Sequence, residues 1–181
     1  AGDFVIVPFT HGCGHCPICL AGFEANCPNA KDGVNGGYQG EFYRAINADG
    51  ALVKIPGRPS DYSEEQLASL TTLADVMPTG FHAAKAADVH EGDTVVVFGD
   101  GAVGLCAVIS AKLLGAKRII AMSRHEDRAA LARDFGATDI IAERGAEAIQ
   151  KIMAITNGYG ADAALECVGT KEAIESAFQA V

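Results

Sequence analysis

Cys13, Cys16, Cys19 and Cys27 are spaced C-x2-C-x2-C-x7-C. Four thiolates this close in sequence make the ligand set of a tetrahedral Zn²⁺, at Zn–S distances of about 2.3 Å. Sulfur fills all four positions, so no place is left for water or substrate, and the site reads as structural rather than catalytic. Gly12, Gly14 and Gly22 permit the tight turns that let the cysteines converge, and Pro17 and Pro28 stiffen the loop. The other reading of the spacing is a pair of disulfides. That framework suits small secreted domains better than an acidic, core-rich chain. Cys106 and Cys167 lie in the apolar runs VGLCAV and AALECVG and read as small core residues. His11 and His15 flank the cysteines, but the tetrahedral set is already full.

A second chemical motif follows the apolar run Val95 to Phe98. Gly99, Asp100, Gly101, Ala102, Val103 and Gly104 spell G-x-G-x-x-G. The pattern carries weight because it follows a strand and opens a helix. Gly99 makes the tight turn, Gly101 lets a pyrophosphate reach the backbone, and Gly104 lets helix and strand pack closely. The amides of Ala102, Val103 and Gly104 then offer donors and positive dipole to the phosphates. The plainer reading is an ordinary β–α turn.

Dinucleotide choice is read at the end of the next strand. An NAD site places Asp or Glu about 20 residues after the glycines to bind the adenosine ribose. Here the strand end reads Met122, Ser123, Arg124, His125. A hydroxyl at Ser123 and a guanidinium at Arg124 suit a ribose 2′-phosphate, which favours NADP, with NAD as the alternative. Arg124 read plainly is a solvated loop cation. Glu126 and Asp127 come too late, at the start of a helix.

These motifs need elements to position them. From about residue 89 strands and helices alternate: Thr94–Phe98, Ala102–Leu114, Arg118–Met122, Glu126–Phe135, Asp139–Ala142, Ala146–Thr156, Ala161–Cys167 and Lys171–Val181. Such alternation predicts an α/β fold, a doubly wound parallel sheet covered on both faces. Residues 1–56 read as β-rich, with strands at Phe4–Val7, Gly40–Ile46 and Leu52–Ile55 and a turn at Asn47–Gly50. Ser63 with Gln66 predicts a helix start with a capping box, continuing through Leu67, Leu70 and Leu73.

Composition bounds the function. The 181 residues are 49% hydrophobic and 20% charged, enough for one or two domains with a sizeable core. The net charge of −9 argues against nucleic acid or an anionic membrane as partner, and against a zinc-ribbon nucleic-acid binder. No apolar run nears the ~20 residues that span a bilayer, and no basic region followed by an apolar stretch opens the chain. The expected compartment is the cytoplasm. The chain opens inside a strand and closes inside a helical pattern, and reads as an internal piece of a longer protein.

The cysteine lobe, the glycine loop and their order resemble the zinc-dependent medium-chain alcohol dehydrogenases, the bacterial secondary-alcohol type in particular. The resemblance spans essentially the whole chain: the GDFVIVP strand, the lobe, the Gly37–Phe42 segment, the D-x-x-x-TGF segment at Asp75–Phe81, and EGDTVVVFGDGAVG. It implies residues 1–77 as part of a GroES-like catalytic domain with a structural zinc lobe at 11–30. Residues 78–181 would then be a Rossmann domain, incomplete at its C-terminal side. It further implies a catalytic zinc with Asp75 as an oxygen ligand where many members have Cys, and two more ligands upstream of the lobe, outside this sequence. Read plainly, Asp75 is a helix-terminal cap. Thr79, Val168 and Gly169 fall where family members approach the nicotinamide and its ribose. The implied activity is hydride transfer between a small alcohol, aldehyde or ketone and a nicotinamide cofactor, in a homodimer or homotetramer. The 181-residue piece alone would be inactive. The competing reading is a zinc-stabilised nucleotide-binding module without catalysis.

Overall fold

The computed structural model describes residues 2–9, 11–30 and 40–181. Within the Gly37–Phe42 segment, residues 37–39 lie outside the described residues. Two compact units divide between Asp75 and Val76, where the sequence reading put the division after residue 77.

In the first unit, β1 (Val5–Ile6) pairs antiparallel with a later strand, Val5 opposite Lys54 and Ile6 opposite Val53. The cysteine lobe follows, with α1 (Pro17–Leu20) started by Cys16 and Pro17 and a 3₁₀ turn at Glu24–Asn26. The Asn47–Gly50 turn is a short helix, α2 (Ala48–Ala51), entered through Asn47 in the left-handed region at φ 53°. The partner strand β2 is Val53–Lys54. The strand expected at Gly40–Ile46 is absent: an isolated bridge at Arg44 is all that forms. A strand needs a neighbour to take up its backbone donors and acceptors, and none of the paired strands among the described residues has this segment as its partner. Its aromatic side chains, Phe42 and Tyr43, stay out, Phe42 at 87% exposure. Helix α3 (Glu64–Leu70) begins with the capping box: the Gln66 N–H donates to Ser63 Oγ at 3.2 Å and the Ser63 N–H to Gln66 Oε1 at 2.9 Å. It tightens into a 3₁₀ turn at Thr71–Ala74 that ends at Asp75.

The second unit opens with α4 (Val76–Ala86). Then β3 (Thr94–Phe98), α5 (Ala102–Leu113), β4 (Arg118–Met122), α6 (Glu126–Phe135), β5 (Asp139–Ile141), α7 (Gly145–Ile155), β6 (Ala163–Glu166) and α8 (Lys171–Gln179) alternate. The strands form one parallel sheet in the order β5-β4-β3-β6. This is a partial Rossmann sheet. The run Val95–Phe98 is apolar throughout because both faces of the sheet are covered. Val95 and Val97 point into a core with Ile119, Leu165 and the small residues Ala107 and Ala111 of α5. Val96 and Phe98 point the other way, into a core with Ile120, Met122 and Ile152 of α7. Alternation of side chains along the strand divides the two cores.

Candidate cofactor site and metal lobe

The four cysteines converge. Their Sγ atoms lie within 4.8 Å of one another, and Cys16, Cys19 and Cys27 are buried. Sγ separations are 4.0 Å for Cys13–Cys19, 3.5 Å for Cys16–Cys19 and 3.9 Å for Cys16–Cys27. Four sulfurs tetrahedral about one zinc stand about 3.8 Å apart, so the set fits a zinc ion. All four are free thiols, not disulfides. Backbone amides support the sulfurs: Cys13 N–H points at Cys27 Sγ and Cys16 N–H at Cys13 Sγ, both at 3.3 Å. Asn29 adds its side-chain N–H to Cys13 Sγ at 3.4 Å. That amide bond, first among several, brings the Cys13 thiol down to about 5. Burial, with the neighbouring thiols, pushes Cys19 up to about 12. A divalent cation at the centre stabilises all four as thiolates. His15 lies outside the set, its Nδ1 2.8 Å from the Cys13 carbonyl oxygen.

The glycine loop sits at the carboxyl end of β3. Strand pairing puts Phe98, Met122, Ile141 and Glu166 in one row across the sheet, Phe98 opposite Met122 and Glu166, and Met122 opposite Ile141. The chain order reverses between β3 and β6, and such a switch point is where open α/β sheets bind ligands. Gly99 has φ 114°, a left-handed value that favours glycine. A side chain on Gly104 would place Cβ 2.0 Å from the Gly99 carbonyl oxygen, whereas one on Gly101 would meet nothing within 4 Å. Gly104 therefore serves the packing of strand against helix, and Gly101 keeps open space beside the first amides of α5, those of Ala102, Val103 and Gly104. A helix leaves these amides without internal acceptors.

A cavity of about 500 Å³ opens along this edge, lined by Gly99, Asp100, Met122, Val168 and Thr170 among others. Arg124, Arg128 and Arg144 bring guanidinium groups to it. Arg124 is exposed. Ser123 is buried, and its hydroxyl donates to Asp100 Oδ2 at 2.7 Å and, more weakly, to the His125 carbonyl oxygen at 3.3 Å. The other Asp100 oxygen takes Arg128 Nη1 at 3.1 Å. Burial works against the Asp100 charge, but Ser123 and Arg128 outweigh it and hold the carboxyl below its usual range. Sequence reading missed Asp100 because it is a variable position of the loop pattern, and Arg128 because it lies a helical turn beyond Arg124.

Val168 and Gly169 follow β6 on the same edge, both exposed. Glu166 Oε1 accepts both their amides, at 2.7 and 2.9 Å, and fixes the turn. Glu166 was also missed: nothing in its spacing marks a side chain that folds back on its own loop. Asp75 closes the 3₁₀ turn in the first unit, its N–H donating to the Thr72 carbonyl oxygen at 3.3 Å. Thr79 lies exposed in α4. Among the described residues the four cysteines are the sole group with three or more metal-type ligands together, so Asp75 belongs to no second such group.

Residues 102–181 match the family model described as zinc-binding dehydrogenase. The chain is 37% identical over 180 residues to a glutathione-independent formaldehyde dehydrogenase of Bacillus subtilis, covering 93% of this chain and 44% of that protein. It is 34% identical over 189 residues to an NADP-dependent isopropanol dehydrogenase of Clostridium beijerinckii, covering 99% and 51%. Among solved structures, the alcohol dehydrogenase of Thermus sp. ATN1 matches with a TM-score of 0.84 at 31% identity, covering 99% of this chain and 53% of that one. The chain is similar to zinc-dependent alcohol dehydrogenases along nearly all of its length. It spans about half the length of these relatives. The matches that cover 99% of this chain take in both the lobe and the glycine loop, whereas the family model begins at residue 102. No helix among the described residues is long and apolar enough to cross a membrane.

Proposed function

We propose that the chain is the zinc-lobe and cofactor-binding part of an oxidoreductase that moves hydride between a small alcohol, aldehyde or ketone and a nicotinamide dinucleotide. One observation carries this reading: the G-x-G-x-x-G loop stands at the switch point of a parallel sheet, in a chain whose lobe holds four converging thiols. A bound nicotinamide cofactor supplies the hydride chemistry. The residues present bind and orient it. The amides of Ala102, Val103 and Gly104 face the pyrophosphate across the space kept open at Gly101. Val168 and Gly169, fixed by Glu166, and Thr79 border the nicotinamide side. Cys13, Cys16, Cys19 and Cys27 hold zinc and keep the lobe rigid. Asp75 is one oxygen ligand of a catalytic zinc whose other ligands the described residues do not supply. One ligand makes no catalytic metal site, so the 181-residue chain binds cofactor without turning over. The whole protein works in the cytoplasm as a homodimer or homotetramer.

NADP is the favoured cofactor, on the exposed guanidinium of Arg124 and the hydroxyl of Ser123. Ser123 has one hydrogen to donate and gives it to Asp100, so it serves a phosphate by turning away from that carboxylate. A second reading has a specific observation behind it. Asp100 brings a carboxylate beside the end of β4, where an NAD site needs one for the ribose hydroxyls. Titration of the chain with NADPH and NADH separates the two readings. NADPH binding at least about tenfold tighter supports the 2′-phosphate site, and equal or tighter NADH binding assigns the ribose to Asp100. Binding of neither overturns the nucleotide reading.

A further inference from the structure

Arg144 precedes α7 as its N-cap residue, and Arg144, Gly145 and Ala148 all line the cavity at the sheet edge. The chain as a whole carries −9. The cavity is the reverse: Arg124, Arg128 and Arg144 stand against Asp100 and Glu172, three cations to two carboxylates. The carboxylates do not neutralise all three evenly. Arg128 is committed to Asp100 at 3.1 Å. Glu143, next to Arg144, is taken by Lys151 at 2.5 Å. Arg144 spends its Nη1 on the carbonyl oxygens of Ala142 and Glu143, at 3.2 and 2.8 Å. The donors on its other two nitrogens carry no hydrogen bond among the described residues. Burial first, and then the nearby charge of Arg124, lowers its hold on the proton. Two guanidinium groups that repel each other across a cavity are a site for an anion placed between them, and a phosphate dianion matches their planar forks.

We propose that Arg144 is the second guanidinium of the adenosine 2′-phosphate site, facing Arg124 from the N-terminus of α7, and that the pair sets the preference for NADP over NAD. This rests on the NADP reading above. Strand register explains how it arises. Met122 pairs with Ile141, so the loops after β4 and β5 leave the sheet side by side, and residues 20 apart in sequence arrive at one ligand atom group.

The test uses the 181-residue chain and two probes, adenosine 2′,5′-bisphosphate and adenosine 5′-monophosphate, titrated by calorimetry. Arg144→Ala is expected to weaken the bisphosphate about tenfold and to leave the monophosphate within about twofold. Arg144→Lys keeps the charge without the fork and is expected to fall between. The monophosphate reports that the fold and the loop remain intact. Equal weakening of both probes, or of neither, overturns the proposal. Arg124→Ala separates the two levels. If it leaves the ratio of the probes unchanged, the NADP reading itself fails. If it lowers the ratio while Arg144→Ala does not, only the role of Arg144 falls.

Discussion

Ser123 Oγ donates to Asp100 Oδ2 at 2.7 Å and so ties the end of β4 to the glycine loop that follows β3. The bond spans 23 residues of sequence, and Ser123 is buried at 1% exposure. Hydrogen bonds to charged groups contribute about 1.5–3 kcal/mol. Ser123→Ala removes the donor and leaves Asp100 with Arg128 alone. The expected loss is toward the lower end of that range, read as a fall in the urea midpoint with unchanged slope. An unchanged midpoint would show that the pair adds nothing to the fold.

The same carboxylate gives a pH dependence of known sign. Asp100 titrates below the ordinary 3.8 in the folded chain, since Ser123 and Arg128 outweigh the burial that opposes its charge. A depressed carboxylate stabilises the fold above its unfolded value, and that contribution is lost as pH falls through the folded value. Stability of the native chain should therefore drop below about pH 4 more steeply than that of Asp100→Asn. The variant should be the less stable of the two at pH 7. Parallel stability curves from pH 7 to pH 2 would remove Asp100 from the account.

Two glycines of one loop should fail in different ways. Gly104→Ala forces Cβ to within 2.0 Å of the Gly99 carbonyl oxygen, a backbone atom that cannot swing aside. The expected cost is about 2–4 kcal/mol, of the kind that follows backbone strain and overpacking. Gly101→Ala meets nothing within 4 Å, so stability should stay within about 0.5 kcal/mol. Its methyl group instead occupies the space proposed for the pyrophosphate, and dinucleotide affinity should fall at least about tenfold. Thermal unfolding beside dinucleotide titration distinguishes the two, and a Gly101→Ala chain with native affinity would refute the assignment of the loop.

The second unit was legible in the sequence because its signals are local. Apolar runs such as Val95–Phe98 and glycines such as Gly115 and Gly136 mark strands and helix ends within a few residues. The cysteine set was legible for the same reason: its four ligands lie within 15 residues. Gly40–Ile46 misled because a strand is completed by its neighbour, which a periodicity inside the segment cannot supply. Asp100 with Ser123, and Arg124 with Arg144 on one cavity, were hidden for a related reason. Each pair is made by the register of β3, β4 and β5, which levels Phe98, Met122 and Ile141 and so brings distant loops to one edge.

Glu166 should act on the cofactor without touching the fold. Its Oε1 holds the amides of Val168 and Gly169 at 2.7 and 2.9 Å, on the rim proposed for the nicotinamide ribose. Glu166→Ala frees the turn, and dinucleotide affinity should fall several-fold as the cost of ordering the loop is transferred to binding. Glu166→Gln keeps an oxygen acceptor and should recover most of it. Adenosine 5′-monophosphate lacks the nicotinamide ribose proposed for this rim and should bind both variants as it binds the native chain. Loss of the monophosphate as well would mean that Glu166 supports the sheet edge as a whole.

Zinc should matter to one unit and not the other. The buried apolar cluster described in the first unit is made of Cys16, Cys19 and Cys27, with Cys13 and Ala30 packed against it. A lobe whose core is its own ligand set has little to hold it once the metal leaves. The two sheet cores of the second unit draw on residues from Ala84 onward and include none of these cysteines. The chain should bind one zinc, and Cys27→Ser should bind it far more weakly. Chelation should open residues 11–30 to protease and to fast amide exchange, while the amides of β3, β4 and β6 keep their protection. Simultaneous loss of protection in the sheet would show that the lobe also sustains the second unit, and an unchanged lobe after complete zinc removal would show that the four thiols need no metal to stay together.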